Sequence, residues 1–225
     1  GRANAMLAPM AQKIFTAFPD VLASDRTVLV GNPLRGALYQ KGHASVSRPH
    51  VPMRVLVLGG SQGAAFINRT MAMVIQAGPK TCGDFEFRLQ CGQVDFDQTR
   101  QALASYPQVA LFAFIDDMAE AYLWADVVIA RAGALTIAEC QWFDVPALYI
   151  PLPTAIGDHQ THNAHAAVQR GRATLMPQAE ATPENILTWL QQQQTAKVPP
   201  KRDEENEDGL WPAERMVALC LSALA

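Results

Sequence analysis

The shortages in this sequence narrow the field first. Only four of its 225 residues are cysteine (Cys82, Cys91, Cys140 and Cys220), and none form a C-x-x-C pair. That argues against a secreted disulfide scaffold and fits a reducing cytosol. Charge is scarce as well: 18 Lys and Arg against 21 Asp and Glu, net −3, with no block of basic residues. A nucleic-acid binder would usually carry a basic stripe, so no nucleic-acid partner is expected. No apolar run approaches the ~20 residues of a spanning helix. The start, "GRANAMLAPMAQKIF", has neither a continuous apolar core nor a cleavage site, so no signal peptide is expected. It also lacks an initiator Met, as in a processed or partial chain. What remains, 49% hydrophobic and 17% charged residues, suits one ordinary soluble domain, or one domain plus a fragment of another. A core of that size needs no covalent staples.

Periodicity divides the chain. "NAMLAPMAQKIFTAF" has helical apolar spacing, interrupted by Pro9, and "TVLVGNPLR" reads as a short strand ending in a turn. "YQKGHASVSRPHVP" is polar and carries two prolines, which makes it a linker with a boundary near residue 50. From Met53 onward, strand and helix alternate. "RVLVLGG", "FEFRLQCG", "QVALFAFI", "DVVIA", "PALYIP" and "ATLM" read as strands, and helical segments separate them. "RVLVL" is a continuous β-branched and Leu run, the pattern of a strand buried on both faces of a parallel sheet. The expected fold is therefore α/β, a doubly wound Rossmann-like parallel sheet. A helix over "DDMAEAYLWA" should be capped by Asp116 or Asp117, and one over "DHQTHNAHAAVQR" should end at Gly171. The final helix, "PAERMVALCLSALA", carries one apolar stripe through Met216, Val217, Cys220, Leu221 and Leu224.

The first strand of this unit runs into "GGSQG", so that Gly59, Gly60, Ser61, Gln62 and Gly63 form a strand-to-helix turn. Glycines let the backbone turn sharply and approach a ligand closely. The helix that follows offers unpaired N–H groups and a partial positive charge, which together favour a phosphate or diphosphate. Ser61 adds a hydroxyl. A dinucleotide is opposed by two details: the spacing is G-G-x-x-G, and the second strand ends in Gln90, Cys91 and Gly92 without the acidic residue that would meet a ribose. No Lys-Ser or Lys-Thr follows the glycines, so the turn is not a Walker loop either. An oxidoreductase-type Rossmann module would be indicated by tight NAD binding.

"ARAGALTIAECQ" repeats the theme. A strand runs into Gly133, a helix begins near Ala134, and Glu139 lies about a turn and a half in. There Glu139 could accept from two vicinal hydroxyls, although a solvated glutamate favoured by the helix dipole fits the local sequence too. In "FIDDM", Ile115 ends the third strand with its backbone available to a planar base edge; a plain strand end with an Asp cap is the alternative. His159, His162 and His165 are spaced i, i+3, i+6 and spread around their helix, so they make no three-His metal face. Asp158 and Gln160, in the first turn of that helix, are placed to read sugar hydroxyls.

Taken together, "GNPLR", "VLVLGGSQGAAFIN" (from residue 55), "FIDDMAEAYLWADVVIARAGALTIAE", "DVPALYIPLP" and "DHQTHNA" resemble the C-terminal half of the MurG family of bacterial peptidoglycan glycosyltransferases. The match runs from "IFTAFPDV" to the last helix. The glycine loop followed by Asn68 and the "RAGALTIAE" stretch are specific in combination. The resemblance implies one half of a GT-B fold, in which the C-terminal domain holds the donor UDP-N-acetylglucosamine (UDP-GlcNAc). By motif, it puts Gly60, Ser61, Gln62 and Gly63 at the diphosphate and Arg35 on the donor side. It puts the Ile115 backbone at uracil, Ala134, Leu135, Thr136, Ile137 and Ala138 around the nucleotide, Glu139 on the ribose, and Gln160 on the GlcNAc ring.

The same resemblance implies inverting transfer of GlcNAc to undecaprenyl-diphospho-muramyl-pentapeptide, which makes lipid II. No cofactor is obligatory on this reading; a divalent cation is compatible, but no ligand cluster stands out. One departure is large. The family begins with another glycine-rich motif and a His in an acceptor-binding N-terminal domain, and no such motif precedes residue 50. Residues 1–50 are therefore expected to be the tail of that domain plus a linker, and 51–225 the donor domain with its C-terminal helix. The partners implied are UDP-GlcNAc or UDP, the absent N-terminal domain and, through it, the lipid-linked acceptor. The catalytic base would lie in that absent domain, leaving this chain to bind donor without turnover. The full-length protein would be cytoplasmic, peripheral on the inner membrane. A non-catalytic nucleotide-sugar subunit working with a separate acceptor chain is the alternative.

Overall fold

A computed structural model describes residues 2–18, 24–40, 50–59, 64–77, 84–153, 158–196 and 211–222. It opens with a short helix α1 (Arg2–Leu7) and a 3-10 turn (Ala8–Met10). Strands β1 (Ile14–Thr16) and β2 (Thr27–Leu29) then pair in parallel as a small sheet of their own, followed by α2 (Gly36–Gln40). The helical spacing read across residues 4–18 is thus only half right. The helix stops at Leu7, ahead of Pro9 in the 3-10 turn, and Ile14–Thr16 is extended because it has a strand partner thirteen residues on, at Thr27–Leu29. Most of the expected linker, residues 41–49, lies outside the described residues.

The main sheet has six parallel strands: β3 (Met53–Leu58), β4 (Phe85–Gln90), β5 (Val109–Phe112), β6 (Val127–Ala130), β7 (Ala147–Tyr149) and β8 (Ala173–Leu175). Their spatial order is β5-β4-β3-β6-β7-β8. The chain therefore winds one way from β3 to β5, returns to the centre, and winds the other way from β6 to β8. This is a doubly wound sheet whose direction reverses between β3 and β6. The connecting helices are α3 (Ala65–Gln76), α4 (Gly92–Leu103), α5 (Met118–Trp124), α6 (Ala134–Trp142), α7 (His159–Arg170) and α8 (Pro183–Thr195).

The apolar run in β3 does what its composition requires. Val55 and Val57 enter one core with Ile67 and Met71 of α3 and Ile186 and Leu190 of α8. Leu56 and Leu58 enter the other, with Tyr122 of α5, Ile137 of α6 and Ala164 of α7. Alternate residues feed opposite faces, and both faces are covered. Asp117, of the two candidates, caps α5: its Oδ1 accepts from Glu120 N at 3.0 Å. Thr182 caps α8 in the same way, and Gly171 follows α7 with φ at +90°. Strand β5 stops at Phe112, its last pairing with Gln90, so Ile115 lies three residues beyond the strand rather than at its end.

The C-terminal helix α9 (Pro212–Ser222) has none of its described residues buried, and Val217 and Leu221 are exposed. Its anchor is Trp211, whose ring lies 4.2 Å from that of Trp142 and 5.3 Å from that of Tyr39, centroid to centroid. Trp142 Nε1 donates to Leu38 O at 3.1 Å. Aromatic packing of this kind ties α2, α6 and the start of α9 together, and so fixes the segment that carries Arg35. Among the described residues, no helix is long and apolar enough to cross a membrane.

Candidate nucleotide site

The register of the sheet brings the ends of β3 and β6 together. Reading across it, Phe112, Gln90, Leu58, Ala130, Tyr149 and Leu175 form a single row, and each is the last residue of its strand. Leu58 and Ala130 are direct neighbours in that row. Gly59 and Arg131, the next residues, therefore leave the sheet side by side at the reversal of winding. In open α/β sheets this crevice beyond the carboxyl ends of the strands is where ligands sit. Two helix N-termini, those of α3 and α6, flank it.

Gly59 is required by close packing. A Cβ there would come within 2.8 Å of Gln90 O and 3.1 Å of both Ala64 N and Asn68 Oδ1. Asn68 is buried in α3 and ties this turn to the next: its Nδ2 donates to Cys91 O and to Asp95 Oδ2, each at 2.8 Å. Gly60, Ser61, Gln62 and Gly63 lie outside the described residues.

Gly133 differs. Its backbone is extended (φ −67°, ψ 139°), and an added Cβ would meet only Thr136 Oγ1, at 3.5 Å. The fold itself does not demand glycine at this position. It caps α6, and the amides of Ala134, Leu135 and Thr136 form the first turn, which has no partner from within the helix. Ile137 differs from them: its amide donates to Gly133 O at 3.0 Å, and its side chain is fully buried in the core. Of the run 134–139, the backbone therefore offers donors only from 134 to 136. Ala138 is half-buried and Leu135 exposed.

Glu139 is half-buried, and Tyr122 Oη donates to its Oε2 at 2.8 Å. Burial raises its pKa above the ordinary carboxylate value, while the Tyr122 hydroxyl and the positive charge of Arg35 pull it back. Arg35 itself is exposed on the segment leading into α2, and this electrostatic reach links it to Glu139 in space. Glu139 is thus partly buried and hydrogen-bonded rather than fully solvated. The side chain of Ile115 is buried; among the described residues its backbone N–H and C=O have no hydrogen-bond partner.

Gln160 sits in the first turn of α7, and its Oε1 accepts from Leu152 N at 3.0 Å. Asp158 precedes α7 rather than lying in its first turn, and is exposed with φ at +52°. His159, His162 and His165 are all exposed, and among the described residues no group of three or more His, Cys, Asp or Glu is arranged to hold a metal.

Two residues that sequence reading did not assign shape the site. Arg131, directly after β6, donates from Nη1 to Ile150 O and Pro151 O, both at 3.0 Å, and from Nη2 to Gln178 Oε1 at 2.8 Å. Desolvation lowers its pKa. Asn163 Nδ2 donates to Ala132 O at 3.3 Å. Together they bind the β6–α6 turn to the β7–α7 connection, and so fix where Gln160 stands relative to Glu139. The one available signal was a lone Arg immediately after four apolar strand residues, since an isolated cation there needs buried acceptors.

The same core holds Cys140, next to Glu139, with its thiol pushed up to about 12 by burial. Cys91 is buried and Cys220 exposed. Alkylation of the native chain followed by peptide mass mapping should therefore modify Cys220 while sparing Cys91 and Cys140. Rapid modification of Cys140 without unfolding would contradict this packing.

Comparisons with known proteins identify the family and the fold. Residues 54–209 match the glycosyltransferase family 28 C-terminal domain. The chain belongs to that family. Among family-28 relatives, it is 39% identical over 195 residues to the UDP-N-acetylglucosamine--N-acetylmuramyl-(pentapeptide) pyrophosphoryl-undecaprenol N-acetylglucosamine transferase of Aeromonas hydrophila, covering 84% of this chain and 53% of that protein. It is 42% identical over 183 residues to the protein of the same name from Pseudomonas paraeruginosa, covering 79% and 50%. The crystal structure of MurG from Acinetobacter baumannii superposes with a TM-score of 0.67 at 31% identity, covering 88% of this chain and 55% of that one. This family-28 chain is thus a MurG-like C-terminal glycosyltransferase domain with half of a GT-B fold. It spans about half the length of the curated relatives it matches.

Proposed function

We propose that this chain is the donor-binding part of an inverting N-acetylglucosaminyltransferase that uses UDP-GlcNAc and a lipid-linked muramyl-pentapeptide acceptor. The observation that carries the reading is the pairing of Leu58 with Ala130, which sets two helix-forming turns side by side with Glu139 on the second helix. The names of the relatives supply the sugar nucleotide and the acceptor.

On this reading the diphosphate lies between the Gly60–Gly63 turn and the amides of Ala134, Leu135 and Thr136. The missing side chain at Gly133, where a Cβ would stand 3.5 Å from Thr136 Oγ1, lets it come close. Glu139 takes the ribose hydroxyls, and the Ile115 backbone meets the uracil edge. Gln160, held by Leu152, faces the GlcNAc ring, and Arg35 lies on the donor side. Reaction is displacement at the anomeric carbon by the acceptor hydroxyl, with inversion, and UDP departs as an anion. Amide dipoles already aimed at that anion stabilise the developing charge without reorganising during the step.

We assign residues 51–225 to the donor domain, and residues 1–50 to the tail of an acceptor domain plus linker. The acceptor, the catalytic base and any contact with the cytoplasmic face of the membrane belong to that other domain. The chain assayed by itself is accordingly expected to bind donor and not to turn over. Calorimetry should show UDP-GlcNAc bound in preference to UDP-glucose, and a transferase assay with a lipid-linked acceptor should yield no product. Robust transfer by this chain alone would refute the division of labour; tight NAD binding without UDP binding would refute the nucleotide-sugar reading.

A further inference from the structure

We infer that Tyr122 is a positioning residue for the nucleotide ribose, its hydroxyl holding one oxygen of Glu139 so that the other is presented to the sugar. The inference rests on the assignment of Glu139 to the ribose and goes beyond it, since Tyr122 touches no part of the proposed ligand.

The geometry is specific. Tyr122 lies near the end of α5 and is almost fully buried, with its ring stacked on Phe143 at 5.3 Å between centroids and 16° between planes. Phe143 immediately follows α6, the helix that carries Glu139. The ring is therefore clamped, and its one polar atom reaches Glu139 Oε2 at 2.8 Å. A buried phenol needs a hydrogen-bond partner, and this one has a charged partner on the helix lining the site. Restricting a long, rotatable carboxylate to one orientation in advance removes an ordering cost from binding. The groups around Glu139 are few: Tyr122 from α5, Arg35 from the segment before α2, and Cys140 on its own helix, with Tyr149 of β7 behind Tyr122 and Cys140. Burial holds the phenol far above its ordinary pKa, so it stays a donor throughout the working range of pH. Its hydrogen bond also favours the ionised form of Glu139.

The test compares UDP with 2′,3′-dideoxy-UDP by calorimetry across pH, for the unsubstituted chain and for Tyr122→Phe and Glu139→Gln. The ratio of the two affinities isolates the ribose hydroxyls, because titration of the shared diphosphate cancels. Tyr122→Phe should lower that ratio about fivefold near neutral pH, less than a full charged hydrogen bond would. It should leave dideoxy-UDP unchanged. It should also move the acid loss of the ratio to higher pH, because a hydrogen bond that lowers the Glu139 pKa is gone. Should the variant fail to fold, the hydroxyl proton of Tyr122 in the unsubstituted chain serves instead: its NMR resonance should shift on adding UDP and not on adding dideoxy-UDP. A ratio that Tyr122→Phe leaves intact while Glu139→Gln lowers it overturns the positioning role and spares the ribose assignment. Equal losses for both ligands in Tyr122→Phe make Tyr122 merely structural and overturn it too. A ratio untouched by Glu139→Gln removes the ribose assignment, and the role of Tyr122 with it.

Discussion

Glu139→Gln is expected to weaken UDP binding by roughly 10- to 100-fold, the loss of one charge-assisted hydrogen bond worth about 1.5–3 kcal/mol. Affinity for inorganic diphosphate should be unchanged, because its anchors are the amides of the two turns. The reasoning is local. Glu139 Oε2 is already engaged by Tyr122, which leaves one oxygen for two vicinal hydroxyls. The amide nitrogen of Gln is nearly isosteric but presents hydrogens where a carboxylate presents lone pairs. Its packing against Tyr122 would survive, so the chain should melt at an unchanged temperature. Parallel titrations with UDP and diphosphate check this directly. Equal losses for both ligands would mean that the substitution disturbs α6 rather than the ribose.

The second large effect concerns stability at the opposite end of the sheet. Asp126→Ala should cost about 2–6 kcal/mol, because two backbone N–H groups lose their acceptor. The Asp126 side chain is 2% exposed. Its Oδ2 accepts from Arg54 N at 2.8 Å and His50 N at 2.9 Å, and its Oδ1 lies 2.8 Å from His50 Nδ1. The Asp126 amide donates in turn to Arg54 O at 2.8 Å. One carboxylate thus fixes the chain where it enters β3 and joins that entry to the start of β6. Alanine leaves two backbone N–H groups without their acceptor, and each such group costs about 1–3 kcal/mol. Asp126→Asn keeps one acceptor and should lose less. Urea unfolding measures both. A loss below about 1 kcal/mol for Asp126→Ala, in the range of an exposed ion pair, would contradict the arrangement.

These two residues also illustrate what the sequence could and could not disclose. The doubly wound class was legible because "VLVL" (55–58) and "VVIA" are apolar at every position, as strands covered on both faces must be. The helix boundaries at Asp117 and Gly171 were legible because their residue types meet local backbone demands, an N-terminal cap at Asp117 and a positive-φ end at Gly171. What escaped depends on partners distant in the chain. Ile14–Thr16 is extended only because Thr27–Leu29 pairs with it, so its local helical spacing misled. Asp126 depends on His50, Arg131 on Ile150 and Gln178, and Tyr122 on Glu139. None of these separations has a periodic signature. The site was similarly half-visible. Gly133 and Glu139 stood out by type and spacing, whereas the juxtaposition of the two turns follows from strand order, which no local pattern encodes.

The most direct test is a crystal structure of the chain with UDP bound. The diphosphate is expected between the turns after β3 and β6, within hydrogen-bond distance of the amides of Ala134, Leu135 and Thr136, with the ribose on the free oxygen of Glu139. Nucleotide density elsewhere on the molecule, or those three amides turned away and paired within the protein, would contradict the account.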